Sequence, residues 1–383
     1  MHLNQPMIAR DPDESHRAAT PLELFFDLVA VIAIATATAG FHHAISAGHG
    51  LENLPNFLML FAAIWWAWMK NYTWFASGFD NDDGVYRLLT IVIMAGFLVY
   101  AAGIEYFFET LDPLYSLEGW VIMRVGMMGL WLRAARHNPE HKAIAMRHFW
   151  GLFVAQTLWV LLFTLVPSGH PLFLLMGVFV FVVELSVPVI ASKAGNIPWH
   201  RHHIIERYGL LNTIVLGEVL LSISFILAKL YGEGFDLALV GAALSGLIIV
   251  FVVWWIYFLE QEHLNSTNIR HVFFWGYGHF AIFLAGALLA AGLGAYLDAL
   301  TDHSDVTPAT AAVYINGAVA VYFITLWAIR DVHHTLGMRN VVLPISTLAL
   351  VVAAYMGAGP HYTAGLCLLT LMFRIPNSRA QTT

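Results

Sequence analysis

Charge is what this 383-residue chain has least of. Asp, Glu, Lys and Arg make up 11% of it and apolar residues 59%, against roughly 25% and 45–50% in ordinary soluble domains. No soluble fold of this length hides that much apolar surface. Cysteine is nearly absent, and the single Cys367 excludes an internal disulfide and any cysteine-cluster metal or redox site. Positive charge is also scarce: the net charge is -7 and the basic residues are scattered, so no nucleic-acid partner is expected. The first 20 residues carry Asp11, Asp13, Glu14 and Arg17 and no apolar run. A cleavable signal peptide is therefore not expected, and the first apolar segment is expected to direct insertion.

What the chain does have is apolar segments of membrane length. A helix needs about 20 residues to cross the hydrocarbon core with its backbone groups satisfied internally. Twelve such segments are expected, near 22–40, 54–76, 87–109, 117–134, 149–167, 172–191, 207–229, 237–259, 272–297, 309–329, 341–357 and 360–374. Of 18 Lys and Arg residues, all but Lys229 and Arg124 fall on the face that carries the N-terminus. Basic residues near helix ends resist translocation, so both termini are expected to be cytoplasmic, in an inner membrane and in contact with its lipids. The fold class is an all-α polytopic bundle. Its parts are a cytoplasmic segment 1–20, a six-helix half 21–191, a cytoplasmic linker 192–206, a second half 207–374 and a tail 375–383.

The halves share letters at a drifting offset. Glu23-Leu24-Phe25-Phe26 and Glu206-Arg207-Tyr208-Gly209 are 183 apart, Trp65-Trp66 and Trp254-Trp255 are 189 apart, and Arg147 and Arg339 are 192 apart. Six is even, so duplicated halves would share one orientation, as parallel repeats do.

Several strings carry a family resemblance. They are Glu23-Leu24-Phe25-Phe26-Asp27-Leu28-Val29, then Trp65-Trp66-Ala67-Trp68 with Tyr72-Thr73-Trp74 and Phe79-Asp80-Asn81-Asp82-Asp83, and His203-Ile204-Ile205-Glu206-Arg207-Tyr208-Gly209 with Leu216-Gly217-Glu218. Together with Arg87, Arg124, Glu184, Pro188, Tyr277 and His279, over roughly residues 21–330, the chain resembles the bacterial low temperature requirement A (LtrA) membrane proteins. The resemblance implies a multi-pass membrane protein and points to no particular substrate or cofactor.

A charged group at membrane depth costs roughly 2.5–3.5 kcal/mol on insertion scales, so it faces a cavity or a partner. Counting inward at about 1.5 Å per residue, Asp27 lies about 8 Å deep, Glu184 and His279 about 10 Å, and Arg124 and Glu218 about 15 Å. Three carboxylates against one permanent cation leave negative charge over. Asp27, Glu184, Glu218 and His279 are therefore candidates to bind a proton or cation, with Arg124 organising them. Gly217 beside Glu218 suggests close backbone approach.

At the cytoplasmic mouth lie Glu23, Asp80, Asp82, Asp83, Arg87, Glu206 and Arg207, with Asp82 a candidate cap for the third span. His203 and Glu206 are three apart, a spacing that can ligate a divalent metal, although the second motif of a di-metal site is missing. Gly276-Tyr277-Gly278-His279-Phe280-Ala281 spells a dinucleotide fingerprint but opens a membrane helix with no preceding strand, so it is set aside. No nucleophile sits beside a base. The leading expectation is a secondary transporter of a small solute or cation, coupled through these carboxylates. The alternatives are a metal-dependent membrane enzyme acting at the mouth and a non-catalytic scaffold or sensor.

Overall fold

The computed structural model describes residues 3–15, 17–167, 170–233, 236–260, 264, 268–334 and 337–375. Arg379, most of the 375–383 tail and the side chain of Lys229 lie outside them. Among the described residues the chain is helical, with no strand. The helices are α1 (Pro21–Ser46), α2 (Gly50–Trp66), a π-helical turn (Ala67–Thr73) running directly into α3 (Trp74–Phe79), α4 (Gly84–Thr110), α5 (Leu114–His137), α6 (Lys142–Leu165), α7 (Phe173–Ser192), α8 (Arg201–Glu233), α9 (Leu237–Leu259), α10 (Ile269–Leu300), α11 (Pro308–Ile329), α12 (Val342–Tyr355) and α13 (Pro360–Arg374). One helical stretch falls on each apolar segment of the sequence. Among the described residues, nine helices are long and apolar enough to cross a membrane. The stretch through the π turn, the charged α5 and the 15-residue α13 are not among the nine.

Local chemistry sets the helix starts. Pro308 and Pro360 stand in the first turns of their helices, where a missing N–H costs nothing. Thr20 and Glu23 form a reciprocal capping box ahead of α1: Thr20 N donates to Glu23 Oε2 at 2.8 Å and Glu23 N to Thr20 Oγ1 at 3.2 Å. Asp83, Asp236, Asn268 and Thr307 cap α4, α9, α10 and α11 through their side chains. The cap of α4 is therefore Asp83, one residue beyond the expected Asp82. Asp82 instead takes a left-handed backbone, φ 46°, which points its carboxylate at Arg87, 2.7 Å away.

The chain divides into two compact units, residues 1–37 with 60–207 and residues 38–59 with 208–383. In the first, α4 packs on α5, α5 on α6 and α6 on α7. Small residues set the α4–α5 spacing: a Cβ at Gly119 would lie 2.3 Å from Tyr100 N, and one at Gly96 2.5 Å from Met123 N. Membrane helices approach this closely only over such residues. The N-terminal segment is strapped across this unit. Met7 N donates to His137 Nδ1 at 3.0 Å, Ala9 N to Asn138 Oδ1 at 2.7 Å, and Arg10 N to Gly78 O at 2.9 Å. In the second unit α10 packs on α11, α11 on α12, α12 on α13 and α13 on α9.

The π turn governs the first unit's interior. Its extra residue per turn rotates the helix beyond it, and every residue from Trp65 to Lys70 is buried. A helix buried on all sides must supply partners for its polar groups from inside the protein.

Candidate functional site

Two ion pairs flank the π turn, each tied to it by an indole. Asp27 on α1 receives both terminal nitrogens of Arg207 on α8, at 2.8 and 2.7 Å, and Trp68 Nε1 at 2.7 Å. Both charged side chains are fully buried. The bidentate fork and the indole satisfy the carboxylate, which gives the pair strength and fixed geometry. Arg207, expected at the cytoplasmic mouth, is an interior residue. One turn earlier, His203 Nε2 lies 2.9 Å from Glu23 Oε1, and both are fully buried.

The second pair joins Arg124 on α5 to Glu184 on α7 by a hydrogen bond from Nη2 to Oε1. Trp66 Nε1 and Trp159 Nε1 each donate to Glu184 at 2.8 Å, and the Arg124 guanidinium lies 4.6 Å from the centre of the Trp120 ring. Cation–π contact and two indole donors complete the shell.

Lys70 changes the electrostatic balance. The loop distribution places it at the end of the second span, yet its side chain is buried, with 3% of the residue exposed. Nζ lies 5.3 Å from the centre of the Trp66 ring, and among the described residues it has no hydrogen-bond acceptor. With Asp27 matched to Arg207 and Glu184 to Arg124, Lys70 is a further buried basic side chain, close enough to Arg124 to interact with it electrostatically. Gln156 on α6, 8% exposed, leaves both amide atoms without a partner among the described residues. Sequence reasoning missed Lys70 because its position in the segment resembles a helix end. The aromatic run before it, Trp65 to Trp68, was the available signal that the chain is still inside the protein there.

The loop before α4 forms a third centre. Asp83 accepts from Tyr86 N and Arg133 Nη1, both at 2.8 Å, and from Gln5 N at 2.7 Å. Burial opposes its charge, but these hydrogen bonds and the Arg133 guanidinium hold the carboxyl well below the usual range. Asp80 is the opposite case. Burial, followed by the nearby Glu23 charge, pushes it up to about 6, against a hydrogen bond from Asp82 N and the Arg17 charge. Arg17 Nη2 stands 4.0 Å away.

Glu218 and His279 belong to the second unit. Glu218, on α8, is half-buried, and among the described residues its carboxylate makes no hydrogen bond or ion pair. Gly217 is not a close-approach glycine, because a Cβ there would meet nothing within 4 Å. His279 is buried. Its Nδ1 donates to Trp275 O at 2.8 Å, which leaves Nε2 to accept from the Tyr257 hydroxyl at 3.0 Å. Arg374 Nη1 lies 2.7 Å from Asp331, and Arg330 donates to Asp331 at 2.8 Å and to Ile256 O and Tyr257 O at 3.1 and 2.6 Å. The last two bonds engage carbonyls in the last turn of α9, where helices leave acceptors over.

The metal expectation finds little support in the geometry. His203 turns inward to Glu23, whereas Glu206 is exposed and accepts from Ala19 N at 3.2 Å. Among the described residues no group of three or more His, Cys, Asp or Glu is placed to hold a metal ion.

Residues 18–374 match the family model of the bacterial low temperature requirement A protein (LtrA). The match covers nearly the whole chain, so the protein belongs to this family and, with its apolar helices, is a multi-pass membrane protein. Among curated proteins and among solved structures nothing matches it.

Proposed function

We propose that this member of the LtrA family is a secondary transporter of the cytoplasmic membrane, with both termini inside, coupled to a proton through Glu218. The observation that carries the reading is the contrast among the carboxylates. Asp27 and Glu184 are each bound by an arginine and by tryptophan N–H groups, whereas Glu218 lies inside a candidate span without a partner among the described residues. A carboxylate held there costs free energy that protonation removes, so its proton affinity can drive a conformational cycle. In this reading Asp27, Arg207, Glu184 and Arg124 are fixed framework charges. His279, committed to Tyr257 and Trp275, shapes the second unit and takes no part in proton transfer. The matching order of neighbours, α4 to α7 in one unit and α10 to α13 in the other, supports descent from a duplicated six-helix half.

In vesicles carrying the purified protein and a trapped pH dye, a conducted small solute should move protons with wild type. Glu218→Gln should abolish that movement while leaving the protein folded. Undiminished proton movement in the variant would remove Glu218 from the mechanism.

The completeness of the other pairs favours a second reading, a non-transporting scaffold or sensor in which all of these charges specify packing. On that reading Glu218→Gln would change stability and nothing else.

A further inference from the structure

We infer that the first unit binds a small anion with oxygen acceptors, a carboxylate or an inorganic oxyanion, between the π turn, α5 and α6, with Lys70 as its counter-charge and Gln156 as its hydrogen-bonding partner. Three observations carry this. First, Lys70 Nζ is buried against the Trp66 ring and has no acceptor among the described residues. A buried ammonium without an acceptor is costly, and Glu184, the carboxylate that Trp66 reaches, is already occupied by Arg124, Trp66 and Trp159. Second, Arg124 interacts electrostatically with Lys70 and adds its positive charge to the potential there. A framework charge thus adds to the attraction for an anion. Third, Gln156 lies one turn before Trp159 on α6, on the side of the helix that reaches Glu184, and is more than nine-tenths buried with neither amide atom satisfied.

Buried polar groups in proteins are nearly always paired. An anion would accept from the Lys70 ammonium and from Gln156 Nε2, and it would offset the charge of that ammonium. The inference deepens the carrier reading by naming the class of cargo, and it rests on that reading only for transport, since binding can be measured alone.

The test uses the full chain in detergent, titrated with sodium acetate, sodium phosphate and sodium chloride at matched ionic strength, with thermal unfolding as the readout. Saturable stabilisation by acetate or phosphate above chloride is expected in wild type, and which of the two acts identifies the class. Apparent affinity should weaken by about tenfold or more in Lys70→Met, the loss of one strong charge-assisted contact, and measurably in Gln156→Leu. Equal response to all three salts in wild type would overturn the site. So would unchanged anion affinity in Gln156→Leu together with Lys70→Met, or in Gln156→Leu alone should Lys70→Met not fold. Anion binding without flux in vesicles would remove the carrier reading and leave the site standing.

Discussion

At the residue scale the interior charges are of two kinds, matched and unmatched, and substitution separates them. Arg124→Ala strands Glu184 in a buried shell and should cost roughly 3–5 kcal/mol, the usual penalty for breaking one side of a buried pair. Glu184→Gln keeps the shape and an acceptor for one indole, so its cost should be smaller. Thermal unfolding followed by tryptophan fluorescence checks the order, because Trp66 and Trp159 touch Glu184 directly; equal costs for the two variants would show that the indoles, not the ion pair, dominate. Asp80 gives a pH signature. Its pKa is raised from 3.8 to about 6, so its contribution to stability is complete below pH 3.8 and is lost as pH rises through about 6. The stability difference between wild type and Asp80→Asn should therefore shift in favour of the variant between about pH 4 and pH 6. A difference independent of pH would show that burial does not raise the pKa of Asp80.

At the element scale the π turn and the N-terminal strap do most to organise the first unit. The turn buries Trp66, Trp68 and Lys70 together, which sets the positions of both flanking ion pairs. Asp83 joins the strap, α4 and α5 through Gln5 N, Tyr86 N and Arg133. Asp83→Ala removes a helix cap and leaves a buried guanidinium without its carboxylate, so a loss of about 3 kcal/mol or more is expected. Protection of the amides of Gln5 and Tyr86 from hydrogen exchange should fall with it, and preserved protection would refute the strap's dependence on this residue.

The helices were legible because membrane length and apolar character leave few alternatives, and each apolar segment holds one. The pairings were less so. Arg207 reads as an interfacial anchor until Asp27 is found across from it, 180 residues away in sequence. Lys70 reads as a helix end because no sequence period announces a π turn. Hydropathy records how apolar a segment is, but not the rotation that decides which neighbour a charge meets.

At the scale of the whole molecule, orientation and mechanism are the claims at stake. With both termini cytoplasmic, as proposed, single cysteines introduced in 134–148 or 192–206 of a Cys367→Ala background should react only with reagents that enter the cell, and those in 42–53, 110–116 or 298–308 with impermeant ones. Labelling of 134–148 from outside would invert the topology. The most direct test of the mechanism is charge movement. Vesicles bearing the protein, adsorbed on a solid support, are given a sudden pH step and the transient current is recorded. Wild type and Asp27→Asn should both give a current, and Glu218→Gln none. A Glu218→Gln trace that superposes on wild type would contradict the proposal that this carboxylate carries the proton.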